Sequence, residues 1–270
     1  MTATITTSDD GPVRILTITN PTKRNAFSGD MAPRLRDLLI AADQEVSVRA
    51  IVITGDETIF SSGHDLQEVL HNPETAGDPE ANAAFTLPAA LGTPVIAAVN
   101  GAAYAAGFIL ALNCDMRVAG RNAKFCAVGA RIGLVPVGGQ LSRLLDVVTY
   151  PVAFKMLTTA APVDAEAALN SGFVTEVAEP EDTLDRAIAL AQQIAQVSPA
   201  VVRAIKTGLR TTLHEGLSAG NALEPLLAAA VRELPDGDEG VQSFLEKRPP
   251  SYPDAPANLQ DVLDKVGATR

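Results

Sequence analysis

The amino-acid sequence predicts an α/β fold from three features. Two short apolar stretches, 51–54 and 95–99, have the character of buried strands. Each is followed by a turn of small residues and then by a segment of helical character, at 66–70 and at 108–112. From about residue 140 onward the apolar spacing is mainly helical. The 270 residues, 47% of them hydrophobic and 20% charged, are typical of a globular protein with a sizeable core.

The chain is expected to begin with a β-hairpin. Residues 5–7 and 13–19 alternate between apolar and polar side chains on either side of the turn sequence Ser8-Asp9-Asp10-Gly11. Ser28 is a candidate N-cap for a helix whose apolar residues recur at helical spacing, namely Met31, Leu35, Leu38, Leu39 and Ala42. Residues 72–80 are acidic and rich in turn formers, which predicts a mobile loop.

Further elements follow toward the C-terminus. Two strands are predicted near 116–119 and 124–126. Asp164 is expected to cap a short helix that ends near Gly172, and a longer amphipathic helix covers 181–196. Ser198 and Pro199 have the N-cap and first-turn residue types that start another helix.

Composition excludes several classes of function. The formal net charge of -11 argues against a nonspecific nucleic-acid partner and against an anionic membrane surface, because both require a basic face. Cys114 and Cys126 lie in apolar contexts and are expected to be buried free thiols rather than a disulfide. No signal peptide is visible, and no uninterrupted apolar run reaches membrane-spanning length. The expected location is therefore the cytoplasm.

The two small-residue turns indicate the chemistry of a site. Asn100-Gly101 and Ala105-Ala106-Gly107 lie between a strand and the N-terminal end of an apolar helix, where backbone N–H groups lack intrahelical acceptors. Ser62-Gly63-His64 stands at the equivalent place after the earlier strand. Two such turns can donate one N–H each to a shared oxygen that becomes negatively charged during a reaction. The alternative is that both turns only connect strands to helices.

Five separated motifs resemble those of the crotonase family, the enoyl-CoA hydratase/isomerase group. FSSGHDL at 60–66 and NGAAYAAGFILALNCDMRVAG at 100–120 are similar to the two oxyanion-hole segments of that family. NPTKRNAF at 20–27 is similar to its CoA-binding segment. IGLVP at 132–136 with the following Gly138-Gly139, and FLEKRPPSY at 244–252, also match in order and spacing. The resemblance covers nearly the whole chain.

The resemblance implies a fold, an assembly and a site. The core would be a spiral of ββα units over residues 1–197 that carries the acyl-CoA site. Residues 198–270 would form a helical region that builds a homotrimer or a dimer of trimers. The backbone N–H groups of His64 and Ala106 would bind the enolate oxygen of an acyl-CoA thioester, each worth ~3 kcal/mol. Ala106 stands where the family commonly has glycine, which is tolerable when its φ is negative.

The usual proton carriers are missing from this pattern. Family hydratases carry two catalytic glutamates, and their positions correspond to Ile109 and Gly129 of this chain. Neither side chain can transfer a proton, so these two residues can only line the substrate pocket. Hydration by the two-glutamate mechanism is not expected.

Each residue that could replace the missing catalytic glutamates can instead have a purely structural role. His64 can act as acid or base, or its side chain can point away from the site. Asp65 can act in catalysis or cap the helix that follows it. Tyr104 can donate a hydrogen bond near the acyl chain or pack as an ordinary core residue. Glu68 and His71 can face either the pocket or solvent.

The CoA-binding candidates flank these turns. Lys23 and Arg24 can meet phosphates or form a solvated basic pair, and Asn25 and Ala26 can contact the adenine or pantetheine side. Further candidates lie along the pantetheine channel and in the tail motif: Ser62, Gly63, Leu66, Ala102, Lys247 and Arg248. The few histidines and cysteines lack metal-ligand spacing, and a nicotinamide fingerprint is absent. Coenzyme A thioester is thus expected as substrate or ligand, with no other cofactor.

The sequence is compatible with two functions. The first is an enzyme that acts on an acyl-CoA, with chemistry or a proton carrier different from the two-glutamate pair. The second is a non-catalytic acyl-CoA carrier or sensor. The Ile109/Gly129 pair favours the binding protein, whereas retention of both oxyanion turns favours the enzyme.

Overall fold

The computed structural model describes residues 3–56, 58–71 and 79–254, with side chains for all of these except 66 and 79–81. In this part of the chain, one main sheet of six strands has the order β1-β2-β4-β6-β8-β11. Two small sheets, β10-β9-β7 and β3-β5, lie beside it. The strands are β1 Thr4–Asp10, β2 Val13–Thr19, β3 Ala26–Phe27, β4 Ala50–Gly55, β5 Gly63–His64, β6 Val95–Val99, β7 Ala102–Tyr104, β8 Met116–Gly120, β9 Lys124–Cys126, β10 Val163–Asp164 and β11 Glu176–Ala178.

Helices are interspersed among the strands and dominate the C-terminal part of the described chain. The helices of the described chain are α1 Met31–Gln44, α2 Leu66–His71, α3 Pro79–Thr86, α4 Ala106–Asn113, α5 Leu144–Val147, α6 Tyr150–Thr159, α7 Ala165–Asn170, α8 Thr183–Ala195, α9 Pro199–Glu215, α10 Leu217–Arg232 and α11 Asp236–Glu246.

The core repeats a ββα unit. β2, β4, β6 and β8 pair in parallel in the main sheet, and each is followed by one strand of a small sheet. A helix comes next in the first three units, as in β4-β5-α2 and β6-β7-α4. The β6 strand and the whole of α4 are buried, because both faces of the sheet and all sides of this helix are covered. The predicted α/β spiral with a helical C-terminal part is therefore present.

Most predicted elements are confirmed, and one cap is wrong. The hairpin is present, with its first strand extended to Asp10. Asp164 accepts a hydrogen bond from the Ala167 N–H, and Ser198 accepts one from the Val201 N–H, so both predicted caps form. Ser28, in contrast, does not cap α1, because that helix begins three residues later. The Ser28 hydroxyl instead accepts a hydrogen bond from the Asn20 side chain at 3.2 Å.

Two further expectations are adjusted at their ends. The helix predicted from 181 starts at Thr183, after a 3₁₀ turn over Pro180–Asp182. Of the loop predicted at 72–80, residues 72–78 lie outside the described part, and α3 begins at Pro79. Cys114 and Cys126 are buried free thiols, as predicted.

The C-terminal helices are fastened to the core by two buried cations of α9. Lys206 donates to the carbonyl oxygens of Pro88 and Thr93 and forms an ion pair with Asp115 at 2.7 Å. Arg203 donates to the Thr93 hydroxyl at 2.8 Å. Buried ionic groups with several partners hold an element in one orientation, because any shift leaves a charge unpaired. Within the described chain, no helix is both long and apolar enough to cross a membrane.

Candidate active site

The two predicted turns meet in space. Gly63 has φ +101°, and a β-carbon placed on it would lie 2.9 Å from the Tyr104 carbonyl oxygen and 3.0 Å from the Ala106 nitrogen. Only glycine combines this backbone conformation with so close an approach. The backbone of β5 thus lies directly against the N-terminal end of α4.

Hydrogen bonds lock this contact. The Ser61 N–H donates to the Ala102 carbonyl at 3.0 Å, and the Tyr104 N–H donates to the Ser61 carbonyl at 2.9 Å. A β-carbon on Gly107 would lie 2.6 Å from the Ser61 oxygen, so the first turn of α4 also requires glycine there. These contacts hold the two turns against each other.

The start of α4 has a strained residue beside the predicted N–H donor. Ala105 has φ 48° and ψ −117°, a region that alanine rarely adopts. Ala106 is the first helical residue, so its own N–H has no intrahelical acceptor. Ala106 has a negative φ, as an alanine in place of the family's glycine requires.

A cavity of about 570 Å³ opens in front of these turns. Six of the predicted site residues line it: Ser62, His64, Tyr104, Ala106, Ile109 and Gly129. The rest of the lining is mostly apolar and comes from the segment after β9, including Val128, Leu134, Val135 and Pro136. None of the described lining residues is aspartate or glutamate. Such a cavity suits an apolar group with a polar end at the backbone turns.

His64 lines this cavity, and so does Asn82, the residue that its side chain contacts. The His64 Nε2 lies 3.3 Å from Asn82 Oδ1, and its ring packs edge-on against Phe85 with centroids 5.2 Å apart. Burial lowers the pKa of His64 from its usual 6.5, while the Asn82 hydrogen bond and the Glu68 charge act in the opposite direction. The imidazole is consequently neutral at pH 7.

Tyr104 lines the same cavity at the end of β7. Burial raises the pKa of its phenol, and a smaller effect of the Arg24 and Arg131 charges lowers it. The hydroxyl therefore stays protonated near neutral pH. It can donate a hydrogen bond to a bound molecule.

Ile109 and Gly129 both line the cavity and are both tightly packed. A β-carbon on Gly138 would lie 2.7 Å from Ile109 Cγ2, so the Ile109 side chain rests on a bare α-carbon. A β-carbon on Gly129 would lie 2.9 Å from the Leu134 carbonyl oxygen. A larger residue at 129 would thus require the backbone of 129–136 to move.

Asp65 is engaged away from the cavity lining. Its carboxylate forms an ion pair with Lys23, and Oδ1 accepts a hydrogen bond from the Gln67 N–H at 3.0 Å. The Lys23 hydrogen bond lowers the pKa of Asp65, and Asp65 in turn raises the pKa of Lys23. Asp65 thus caps α2, which was one of its two predicted roles. Lys23 is paired with the Asp65 carboxylate.

Glu68 and His71 face outward. Glu68 accepts a hydrogen bond from the Gly29 N–H at 3.0 Å, and the His71 ring lies 2.6 Å from the Gln67 carbonyl oxygen. Both residues are exposed. Ser61, which stands in the same motif, is buried and donates to the Asn25 carbonyl at 2.7 Å.

A second, smaller cavity has a volume of about 320 Å³. Arg24, Asn25 and Ala102 line it. The Asn25 side chain accepts from the Asn20 N–H at 2.7 Å and donates to the Ile59 carbonyl at 2.9 Å, so it holds two loops together. Ala26 is buried in β3, opposite Gly63 of β5. The side chain of Leu66 lies outside the described residues.

Arg248 and Lys247, the two candidate residues of the tail motif, differ in their contacts. Arg248 forms ion pairs with Glu239 and Glu246 at 2.6 Å each. The Arg248 hydrogen bond, followed by that of the Ser251 N–H, lowers the pKa of Glu239 to about 2. Lys247 ends α11 with φ 55° and is exposed.

Three polar residues of the cavity were not predicted from sequence. Asn82, Arg131 and Gln140 all line it. Asn82 follows a polar segment and has no local signal, because its role depends on the packing of α3 against β5. Gln140 donates to the Val137 carbonyl at 2.8 Å, while its Oε1 has no hydrogen-bond partner in the described structure. No group of three metal-ligating side chains occurs among the described residues.

Comparisons with known proteins agree with this architecture. The family model described as enoyl-CoA hydratase/isomerase matches residues 9–255. The 2,3-dehydroadipyl-CoA hydratase of Escherichia coli is 36% identical over 242 residues, which cover 89% of this chain and 94% of that protein. The carnitinyl-CoA dehydratase of Citrobacter koseri is 33% identical, with 90% and 95% of the two chains covered.

Solved structures give the same result. An enoyl-CoA hydratase from Polaromonas sp. JS666 superimposes with a TM-score of 0.87 at 32% identity, covering 93% of this chain and 100% of that chain. An enoyl-CoA hydratase from Bacillus anthracis gives 0.89 at 26% identity, with 93% and 99% covered. The predicted fold class is confirmed.

Proposed function

The chain belongs to the enoyl-CoA hydratase/isomerase family, and on that premise we propose that it is a lyase-like enzyme that acts on acyl-CoA thioesters. The backbone N–H groups of His64 and Ala106 bind the thioester oxygen and stabilise the enolate that forms during the reaction. The observation that carries this proposal is the contact of Gly63 with the Ala106 nitrogen, which brings the two N–H-bearing turns together. Donors held rigidly before the reaction stabilise developing charge without reorganisation.

The chemistry differs from two-glutamate hydration. Ile109 and Gly129 stand where the family resemblance places the two glutamates, and no carboxylate is found among the described lining residues. The reaction is therefore one in which a single side chain moves the proton. His64 and Tyr104 are the candidates in the cavity, and Asp65 is disfavoured because Lys23 and the Gln67 N–H occupy its carboxylate.

The smaller cavity supports a binding place for the coenzyme part. Two of its lining residues contact the first turn, because the Arg24 and Asn25 carbonyl oxygens accept hydrogen bonds from the Ser62 N–H and the Ser61 hydroxyl. Arg24 is exposed there and is available for a phosphate, whereas Lys23 is paired with Asp65. The relatives' names, a 2,3-dehydroadipyl-CoA hydratase and a carnitinyl-CoA dehydratase, support a CoA thioester as the ligand class.

We propose in addition that the chain assembles as a homotrimer or a dimer of trimers. The helix α9 carries exposed apolar residues four apart, Val201, Ile205, Leu209 and Leu213. A continuous apolar stripe of this kind is costly on an isolated subunit. A second copy of the chain covers it in the assembly.

A second candidate function is a non-catalytic acyl-CoA carrier or sensor. It is favoured by the apolar Ile109 and by Gly129, which leave the described cavity without a carboxylate. A carrier would bind the thioester tightly and leave it chemically unchanged.

The test of the proposed function replaces the N–H donor at 106. Proline at the first position of a helix is compatible with helical φ but lacks the N–H, so Ala106→Pro removes the donor. Ala106→Gly is the matched control, because it retains the N–H. We expect Ala106→Pro to lower turnover of acyl-CoA by about 10²–10³-fold, the usual effect of losing one oxyanion donor.

The readouts are calorimetric binding and mass-spectrometric product analysis with acetyl-, butyryl-, crotonyl- and octanoyl-CoA. Turnover and affinity that match in the proline and glycine variants would exclude Ala106 as a donor. A wild-type protein that binds none of the four thioesters would contradict the proposed function as a whole.

A further inference from the structure

The cavity contains one side chain with both the chemistry and the surroundings of a proton carrier. Among its described lining residues, the ionisable ones are His64, Tyr104 and Arg131. A guanidinium does not release its proton near neutral pH, and burial raises the pKa of the Tyr104 phenol further from neutrality. Only an imidazole can both take and return a proton at pH 7.

Asn82 determines which nitrogen of that imidazole is basic. Its Oδ1 lies 3.3 Å from His64 Nε2. An amide oxygen only accepts hydrogen bonds, so Nε2 carries the proton and donates it to Oδ1. The lone pair is then on Nδ1, for which the described structure contains no hydrogen-bond donor.

Packing holds the ring in this orientation. Phe85, three residues after Asn82 on α3, contacts the imidazole edge-on at 5.2 Å between centroids. Asn82 itself is buried. A ring fixed by one hydrogen bond and one aromatic contact loses little freedom when it reacts.

We propose that the His64 imidazole, oriented by Asn82, is the acid/base group of this site, while the backbone of the same residue donates to the thioester oxygen. This inference rests on the proposed function. It assigns the proton transfer to His64 and makes Asn82 a positioning residue.

The elementary step is α-proton transfer. Nδ1 takes the proton from C2 of the acyl group as the C2–H bond breaks. The electron pair of that bond forms a double bond between C2 and the thioester carbon, and the carbonyl π electrons move to the oxygen. That oxygen accepts hydrogen bonds from the His64 and Ala106 N–H groups. Return of a proton from the imidazolium to carbon completes the cycle with no added reactant.

The electrostatic surroundings permit this cycle. Glu68 on α2 and the Asn82 hydrogen bond favour the imidazolium, and burial disfavours it more strongly, so the pKa of His64 is lowered from 6.5. The other charged or titratable groups nearby are Tyr104 and Arg131 in the cavity lining and the adjacent Asp65, which is paired with Lys23. A base with a lowered pKa remains active below pH 6.5 and loses activity as the pH falls through its pKa.

The test measures exchange of the C2 hydrogens of acetyl-, butyryl- and octanoyl-CoA in deuterated water by mass spectrometry. His64→Gln removes the imidazole and retains the backbone N–H. We expect it to reduce exchange by about 10²–10⁴-fold, with the dissociation constant for the thioester within about threefold of the wild-type value, because the N–H donors remain. His71→Gln, at an exposed histidine outside the cavity lining, is the matched control and should exchange at the wild-type rate.

Asn82 is tested by the pH profile, which a purely structural role would not shift. Asn82→Asp places a carboxylate beside Nε2 and stabilises the imidazolium, so the acid limb of the exchange rate should move to higher pH. Asn82→Ala removes a hydrogen bond that raises the pKa, and the limb should move to lower pH.

The outcomes separate this inference from the proposed function. Wild-type exchange that persists in His64→Gln would overturn the assignment of His64. An acid limb that is the same in wild type, Asn82→Asp and Asn82→Ala would overturn the role of Asn82. A wild-type protein that binds these thioesters but exchanges none of them would overturn the inference and favour the carrier. Absence of binding would instead contradict the proposed function.

Discussion

Gly63 and Ala105 face each other so closely that a β-carbon on Gly63 would lie 2.6 Å from the β-carbon of Ala105. Both residues have positive φ, +101° and 48°. A glycine turn and a turn strained at Ala105 are thus in contact where the proposed oxyanion site is formed. The two turns can approach this closely because Gly63 has no β-carbon.

We expect Gly63→Ala to separate these turns. The substitution places a methyl group against Ala105 and the Ala106 nitrogen, and overpacking of this kind costs about 1–3 kcal/mol in addition to the strain at positive φ. Thermal unfolding should show the loss of stability, and calorimetry should show weaker acyl-CoA binding.

Gly216→Ala is the matched control for that experiment. Gly216 has a similar φ of +92°, and nothing lies within 4 Å of its added β-carbon. It therefore carries the conformational cost without the steric clash. Equal stabilities and equal affinities in the two variants would show that the contact of Gly63 with α4 has no energetic importance.

We expect Ile109→Glu combined with Gly129→Glu to hydrate crotonyl-CoA, because the scaffold then carries two carboxylates in the cavity. The variant should be less stable than the wild type. Glutamate at 109 loses the packing on Gly138, and a side chain at 129 meets the Leu134 carbonyl at 2.9 Å. Loss of the enoyl chromophore and the unfolding temperature are the two measurements.

The corresponding double glutamine variant is the control, since it has the same shape without a proton carrier. Hydration at the same rate by the glutamate and glutamine variants would mean that positions 109 and 129 are not the catalytic carboxylate positions. Absence of hydration in a folded glutamate variant would count equally against that assignment.

We expect Lys206→Met to destabilise the protein by about 3 kcal/mol, because it leaves Asp115 without its buried partner. Burial lowers the pKa of Lys206 from 10.5, although Asp115 opposes this effect. Since the unfolded lysine binds a proton more tightly than the folded one, stability should rise with pH as it approaches 10.5. Urea denaturation at several pH values measures both effects.

Arg186→Met is the comparison for that buried pair. Arg186 forms an exposed ion pair with Glu176, and exposed pairs contribute about 0–1 kcal/mol. A loss of stability in Lys206→Met no larger than in Arg186→Met would contradict the role of Lys206 in fastening α9 to the core.

We expect Ile205→Glu combined with Leu209→Glu to dissociate the assembly. These side chains are 54% and 62% exposed, so charges there are tolerated by the isolated subunit but not within an apolar interface. Light scattering measures the mass of the particles. The helix α9 should not be removed for this test, because its Arg203 and Lys206 are buried in the core.

A suitable control is Arg232→Glu on the adjacent helix α10, outside this stripe. It makes a similar change of charge without affecting the apolar surface. A wild-type mass retained by the Ile205→Glu/Leu209→Glu variant would contradict the proposed interface.

Sequence alone determined the elements whose signals are local. The buried strand at 95–99 and the caps at Asp164 and Ser198 were predicted correctly, because apolar runs and capping side chains act within a few residues. The family motifs at 60–66 and 100–120 also identified the two turns before their contact was known. Ser28 failed as a cap because α1 begins only at Met31, and its hydroxyl accepts a hydrogen bond from the Asn20 side chain instead.

Tertiary structure decided the rest of the site. Whether His64 lines the cavity, which of its nitrogens is protonated and whether Lys23 is available to a phosphate all depend on partners 18 to 42 positions away, Asn82 and Asp65. No local pattern encodes these contacts, since they arise when α3 and the loop before β3 pack around β5. Neighbouring residues determine the backbone turns. The protonation and pairing of the side chains depend on the distant residues that the fold brings beside them.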